Sequence, residues 1–489
     1  MTMASPSDPA VPAAPLLPLC VDFDGTLVRT DAIYECFVGA LKSRPIALLR
    51  IAPLLLRSRA AFKAALWRIA GEAIDVGSFP REPKVVGLIE QARREGRPVE
   101  LVSASDLDLL RSDPQLVGMF DAIVGSDGQT NVKGPNKAAL LQARHPGGFD
   151  YVGDSTADLP VFEAARKGYG VGLSAANARA LADRQVPMEQ LVAPRSAVPA
   201  LLKSLRLHQW FKNILIFVPV GLAVGMLGAA EILRMLSGFV LLGLLASATY
   251  LVNDLFDLPS DRRHPRKSAR PLASGALPIL WALVAAPSMI VLTLIAGYLL
   301  EPGFAAVLAL YLALTLAYSF RLKRTPIMDV LVIGLLFTLR VVAGMTLGPA
   351  ASSQWLLIFS VFFFTGLALM KRDAEIAVLQ ASDQSALKGR GYTVADRPFV
   401  QIVGVGTSIA SLVIFAMFIA AIFENSRQYS APYFLWVAYF LLAYWMLRLW
   451  FMSFRGHMHD DPIVFAIKEP KSIAIFGVIG LVCLLSQVF

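Results

Sequence analysis

Hydrophobic and polar positions follow two regimes along this chain. In the first, short apolar runs stop on polar clusters. LLPLCVDFDGTL ends on Asp22-Phe23-Asp24-Gly25-Thr26, PVELVSAS reaches Ser103, and FDYVGD ends on Asp154, with Asp158 four residues later. Runs of this length, bounded by turn residues, predict buried strands. Between them PKVVGLIEQARREG and KAALLQARH carry helical spacing. Strands alternating with helices predict a parallel, doubly wound α/β sheet. Ligands of such sheets sit beyond the carboxyl ends of the strands, where every cluster just named falls. In the second regime, apolar segments long enough to cross a bilayer recur near 213–230, 233–253, 277–299, 303–320, 328–348, 354–370, 399–423, 432–453 and 472–488. They predict an all-α polytopic membrane domain of nine transmembrane helices. The Pro/Ala-rich residues 1–15 predict a disordered leader, without the basic start and apolar core of a signal peptide. The expected organisation is a leader at 1–15, a soluble domain at 16–190, a linker at 191–206 and the membrane domain at 207–489.

Composition agrees with this division. The 489 residues are 56% hydrophobic and 17% charged, too apolar for a soluble chain and the opposite of a disordered one. Residues 1–206 nevertheless hold 24 of the 45 Lys+Arg and 22 of the 36 Asp+Glu, which is ordinary soluble chemistry. The net charge of +9 sits mainly in membrane loops. Orientation explains it, and no nucleic-acid partner is implied. One alternating set of loops carries sixteen Lys/Arg against Arg234 and Arg427 in the other. The bias predicts an inner-membrane protein with its N-terminal domain in the cytoplasm and its C-terminus outside. Cys20, Cys36 and Cys483 lie far apart, which argues against a disulfide framework or a cysteine zinc site and fits a reducing compartment.

Carboxylates gathered at strand ends repel one another unless a cation joins them. Asp22, Asp24 and Asp154 make a candidate Mg²⁺ site that leaves room for a phosphate oxygen. Asp22 is then placed to attack phosphorus and Asp24 to act as general acid and base, while Ser103 and Lys133 hold the phosphoryl oxygens. The pattern resembles the haloacid dehalogenase-like (HAD) phosphatases over about 135 residues. DxDGT (Asp22, Asp24) matches the first motif, Ser103 the second, Lys133 in NVKGPNKAALL the third, and GDxxxD (Asp154, Asp158) the fourth. Lys137 competes with Lys133 for the third role. The resemblance implies that the helical insertion at about 31–95 is a small cap. Two readings of that cap stand open: one that lies on the membrane and admits a lipid-linked phosphate, and one packed on its own domain.

The second cluster follows the second membrane helix: NDLFDLPSDRRHPRKSARPLASG. On a helix, Asp254, Asp257 and Asp261 share a face. With Asn253 they read as ligands for Mg²⁺ bridged to a diphosphate, because such carboxylates at a membrane surface are costly without a cation. Arg266, Lys267 and Arg270 are candidates for further phosphate oxygens. The segment looks like the UbiA superfamily of intramembrane prenyltransferases. That family's usual second aspartate pair is reduced here to Asp329, in YSFRLKRTPIMDVLVIG. Other pieces resemble one branch, the decaprenyl-phosphate phosphoribosyltransferases: RLHQWFKN, NDxxDxxxDRxHPxKxxRPxAxG, YSxxLK…D, LxKRxAE, RGY and DDPxxFA.

That branch implies transfer of 5-phosphoribose from phosphoribosyl diphosphate to a polyprenyl phosphate. Asp257 and Asp329 are the expected catalytic acids. Lys212 and Arg340 are candidates for the lipid phosphate, although Lys212 reads equally as a snorkelling helix start, and Arg448 as plain snorkelling. Tyr318, Lys323, Lys371, Arg372, Arg390, Tyr392 and Lys468 are candidates for the donor's phosphates, and Asp460-Asp461 for a loop or a second cation. Joined to a phosphatase, this predicts two steps: phosphoribosyl transfer, then removal of the 5-phosphate to give polyprenylphosphoryl ribose for cell-envelope glycan synthesis. The expected partners are phosphoribosyl diphosphate, a polyprenyl phosphate lipid and the bilayer, with a homo-oligomer left open. The rivals are a conventional prenyltransferase beside an independent phosphatase, and a transporter with a regulatory domain.

Overall fold

The structure is a computed structural model that describes residues 16–221, 228–348, 354–381, 390–425, 429–458 and 462–488. The leader at 1–15 falls outside them. The chain forms two compact units, Met1–Ser204 with Leu251–Val284, and Leu205–Tyr250 with Ala285–Phe489.

In the first unit six strands, β1 (Leu19–Val21), β2 (Val99–Asp106), β3 (Ala122–Ser126), β4 (Asp150–Gly153), β5 (Lys167–Val171) and β6 (Met188–Val192), form one sheet in the order β3-β2-β1-β4-β5-β6. All pairings are parallel, with Leu19 opposite both Val99 and Asp150. A parallel sheet covered on both faces reads as unbroken apolar runs rather than alternation. The chain winds outward in both directions from β1 and β4, so the crevice between their carboxyl ends is the fold's natural ligand site.

Four helices after β1 build the cap: α1 (Ala32–Ser43), α2 (Pro45–Ile51), α3 (Leu54–Arg57) and α4 (Arg59–Ala70). Asp31 caps α1 through the Ile33 amide, and Ser58 caps α4 through that of Ala61. Phe62, Leu66 and Ala70 of α4 share a core with Leu19, Val21 and Leu101 of the sheet, so this part of the cap packs on its own domain. Helices α2 and α3 bury nothing completely and expose Ile46, Leu49 and Leu56. Beyond the cap, α5 (Pro83–Arg94) and α6 (Pro135–Arg144) cover the sheet.

The segment Leu251–Val284 belongs to this same unit. It holds the end of α7 (Ala229–Phe256), the short α8 (Leu258–Arg263) and the start of α9 (Ile279–Leu300). A buried ion pair fastens it: Arg262 bonds Glu35, which also accepts from the Thr30 hydroxyl at 2.6 Å, and the Arg262 guanidinium lies over the Phe79 ring. Lys42 donates to the Phe256 carbonyl at 2.8 Å. Gly275, at φ +72°, approaches the Arg29 backbone so closely that a Cβ would collide with it.

The second unit is helical. With α7 and α9, it takes α10 (Pro302–Phe320), α11 (Met328–Leu347), α12 (Gln354–Ala381), α13 (Arg397–Asn425), α14 (Phe434–Phe454) and α15 (Pro470–Val488). Among the described residues, eight helices are long and apolar enough to cross a membrane. The chain is an integral membrane protein. The expected ninth span, 213–230, is not among them. Its described part is a 3₁₀ segment, Leu207–Phe217, followed by the single turn Val218–Gly221, and residues 222–227 lie outside the described set. A 3₁₀ run has poorer hydrogen-bond geometry than an α-helix and rarely extends this far.

Breaking the Glu35–Arg262 pair leaves a cation stranded in the interior. Glu35→Ala is expected to destabilise the first unit by about 3–5 kcal/mol, seen as a lower melting temperature of the full chain in detergent and as new proteolytic cleavage between Leu251 and Val284.

Candidate active sites

The first site forms where β1 and β4 end. The turn after β1 places Asp22, its amide bonded to the Val152 carbonyl at 3.0 Å. Gly25, at φ +71°, lets the chain fold back beneath Asp154, since a Cβ there would occupy the space of the Asp154 carboxylate. Lys137, on α6 and only 2% exposed, donates to Asp22 Oδ1 at 2.9 Å, to Asp158 Oδ1 at 3.3 Å and to the Tyr151 hydroxyl at 3.0 Å. Asp158 is saturated with donors: the Tyr151 hydroxyl at 2.7 Å on one oxygen, and the Ser155 amide and hydroxyl on the other. It also bonds Lys137 through the first oxygen, and it lines the same cavity as Asp22 and Asp154. Lys137, and not its rival Lys133, thus holds the carboxylates. Lys133 lines the same cavity of about 590 Å³.

Asp22, Asp154 and Asp158 each offer an oxygen within 4.8 Å of the others, the one such group among the described residues. Burial pushes the Asp22 carboxyl up to about 7, against the opposing pull of Lys137. Asp154 rises well above the usual carboxylate range, through burial first and then through Asp22, Asp158 and Asp24. Hard oxygens crowded this way fit a divalent cation. Asp24 differs: its oxygens accept from the Ala32 amide at 2.7 Å and the Ser105 hydroxyl at 2.5 Å, and burial lifts it to about 6. A carboxyl poised there can give and take a proton near neutrality. Ser103 is buried and accepts from the Ser105 amide at 3.0 Å.

Three residues here went unrecognised in the sequence. Ser105 holds Asp24, Tyr151 joins Lys137 to Asp158, and Lys63 reaches from α4 to the Ala104 carbonyl at 2.7 Å and Asn131 Oδ1 at 3.2 Å. Ser105 had a signal, since residues two apart on a strand share a face.

The aspartate-rich segment is arranged differently. Arg270 Nη1 bridges Asp254 Oδ1 at 3.1 Å and Asp261 Oδ2 at 2.5 Å, so its guanidinium is engaged with carboxylates. Asn253 donates to Asp257 Oδ2 at 3.0 Å. Lys267 lies 3.8 Å from Asp261 Oδ1, a buried oxygen with no hydrogen-bond partner. Burial raises Asp261 despite Arg270. An orphaned carboxylate oxygen beside a borrowed cation fits a site built to receive positive charge. Arg266 is exposed.

The remaining expected residues lie in the second unit. Asp329 is fully buried, with one oxygen bonded by Arg372 Nε at 2.7 Å and the other by the Tyr392 hydroxyl at 2.8 Å. Arg372 and Arg390 meet on Glu375, which the sequence did not single out. Arg340 donates to Asn213 at 3.0 Å, the Tyr311 hydroxyl at 2.9 Å and the Leu336 carbonyl at 2.6 Å, so it ties helices together. Lys212 is the charged residue lining an otherwise apolar and aromatic cavity of about 950 Å³. Tyr318, Lys323 and Lys371 are half-buried and Lys468 is exposed. Arg448 pairs with Glu469 at 2.8 Å instead of merely snorkelling. Asp460 and Asp461 lie outside the described residues.

Between about pH 4 and 7 the folded first site holds protons that the unfolded chain has shed, so its contribution to stability falls as pH rises through that window. A divalent cation competes with the proton on Asp22. Added Mg²⁺ is therefore expected to raise the melting temperature more at pH 8 than at pH 5, and Asp154→Asn to abolish that difference, as measured by scanning fluorimetry.

Comparison with known proteins matches residues 214–467 to the UbiA prenyltransferase family and residues 19–163 to the haloacid dehalogenase-like hydrolases. An uncharacterized Sinorhizobium fredii protein, y4nM, is 39% identical over 457 residues, covering 93% of this chain and 88% of its own. The nodulation protein NoeC of Azorhizobium caulinodans is 32% identical over 286 residues, covering 57% of this chain and 91% of its own. The decaprenyl-phosphate phosphoribosyltransferase of Mycolicibacterium smegmatis is 34% identical over 212 residues, covering 42% of this chain and 67% of its own.

Proposed function

We propose a two-step membrane enzyme, on the premise that this chain belongs to the UbiA prenyltransferase family and carries a haloacid dehalogenase-like domain ahead of that part. The first step transfers 5-phosphoribose from phosphoribosyl diphosphate to a polyprenyl phosphate. The second removes the 5-phosphate from the lipid product. Both sites then face the cytoplasmic side of an inner membrane, as the loop charges suggest.

The observation that carries the first step is Asp329. A conventional prenyltransferase of this family is expected to offer a second pair of acids there. This chain has one, and both its oxygens are taken by Arg372 and Tyr392. No acid stands four residues away to hold a second cation. The similarity to decaprenyl-phosphate phosphoribosyltransferases points the same way. In this reading Asp254, Asp257 and Asp261 hold the donor's diphosphate end, with Arg266 and Lys267 beside them. Charge builds on the ribose ring as the C1–oxygen bond to pyrophosphate lengthens. The acceptor is already an anion and needs guidance more than a base. Lys212 supplies that guidance, and its apolar cavity suits the prenyl chain.

In the second step an Asp22 oxygen bonds to phosphorus while the bond to the ribose 5-oxygen breaks. Asp24 gives that oxygen a proton, then takes one from the water that releases phosphate. Lys137 orients Asp22 and favours its ionised form against the effect of burial. A bound Mg²⁺ supplies neutralisation of phosphoryl oxygens at both sites.

Purified full-length protein given labelled phosphoribosyl diphosphate and polyprenyl phosphate should form a labelled ribosyl lipid without the 5-phosphate. Asp22→Asn should accumulate the phosphorylated lipid, with its hydrolysis down about 10³-fold or more, and Asp257→Asn should lose lipid labelling altogether. Mass spectrometry of the extracted lipids reads both. Absence of label from wild-type lipid, with prenyl transfer to an aromatic acceptor instead, would establish the conventional reading.

A further inference from the structure

The phosphatase cavity has a wall that phosphomonoester chemistry alone does not require. Asp22, Asp24 and Asp154 line it, and so do Leu280 and Trp281. These last two residues open α9, an apolar helix of membrane-crossing length. Leu280 is 43% exposed and Trp281 45%, although both are large and apolar. On the cap side the half-exposed Leu55 faces the same space. Arg59, Lys63 and Lys133 in the lining suit a phosphate, but an aromatic ring and two aliphatic side chains stand in the same lining, and a small sugar phosphate has no use for them. Tryptophan at the start of a membrane helix typically sits at headgroup level, with its ring among acyl chains and its N–H toward water.

Two contacts hold the segment that leads into this wall. Upstream, the buried Arg262–Glu35 pair fastens the segment to α1. Just before the wall, Gly275 lies against the Arg29 backbone, within the turn that follows the catalytic aspartates. Pro278 and Ile279 then line the cavity next to Leu280. The segment that carries the diphosphate-binding acids thus ends as part of the neighbouring phosphatase pocket.

We infer that Leu280 and Trp281, with Leu55 opposite, make this pocket selective for a phosphomonoester carried on an apolar chain, by contacting the first part of that chain. This rests on the proposed dephosphorylation of a lipid product and adds the residues that recognise the lipid. A soluble phosphomonoester gains nothing from these contacts, so the wall discriminates by the fraction of the chain it shields from water.

The test compares a synthetic farnesylphosphoryl ribose 5-phosphate in detergent micelles with ribose 5-phosphate, using the full-length protein. The readout is the ratio of the two kcat/KM values from phosphate release. Wild type should favour the farnesyl ester. Trp281→Ala and Leu280→Ala should each cut that ratio, together by about tenfold, and Trp281→Phe should restore most of it. If wild type prefers the farnesyl ester and the ratio is unmoved by the alanine variants, the assignment of this wall is overturned while the two-step reading stands. An equal fall on both substrates shows a structural role and also overturns it. A wild type without preference for the farnesyl ester overturns both.

Discussion

Buried negative charge must be answered by positive charge, and that requirement organises both units. At the end of β1, Asp22 and Asp158 are buried, Asp24 and Asp154 are half-buried, and all four crowd one cavity. Lys137 answers them, itself buried and braced by Tyr151 and Asp158. Its position matters as much as its charge. Its ammonium is committed to Asp22, Asp158 and the Tyr151 hydroxyl, which steadies Asp22 at the mouth of the crevice.

The other acidic clusters answer the same requirement with different geometry. Arg270 stands between Asp254 and Asp261 and pairs with both. Arg372 and Tyr392 enclose Asp329 completely, and Arg372 has no measurable exposure. The three arrangements grade from a propped site, through a plugged one, to a sealed one. That grading explains why one motif acid reads as chemistry and another as architecture, although all were singled out by the same logic.

Much of this was legible in the sequence. Apolar runs broken by Asp and Gly gave the strand ends, because a buried parallel strand has no polar face to confuse the pattern. Lys137 was harder to place. A glycine beside Lys133 drew attention there, yet Lys137, Ala138 and Leu141 are the buried face of α6, at helical spacing. Lys63 was hidden by the opposite effect, a charge on an amphipathic helix reading as a solvated face. Partners such as Arg372 for Asp329, or Glu35 for Arg262, are remote in sequence, and no local pattern carries them.

The first unit is interrupted in sequence: its sheet ends at Val192, but Leu251–Val284 completes it. Chains emerge from the ribosome N-terminal end first, and domains tend to fold as they appear. Glu35 is therefore without its arginine until the membrane helix α7 has been made and the chain has turned back. Maturation of the hydrolase is thus tied to insertion of its neighbour into the bilayer, so a ribosome that stalls between the two leaves a product lacking Arg262 and the Trp281 side of its pocket.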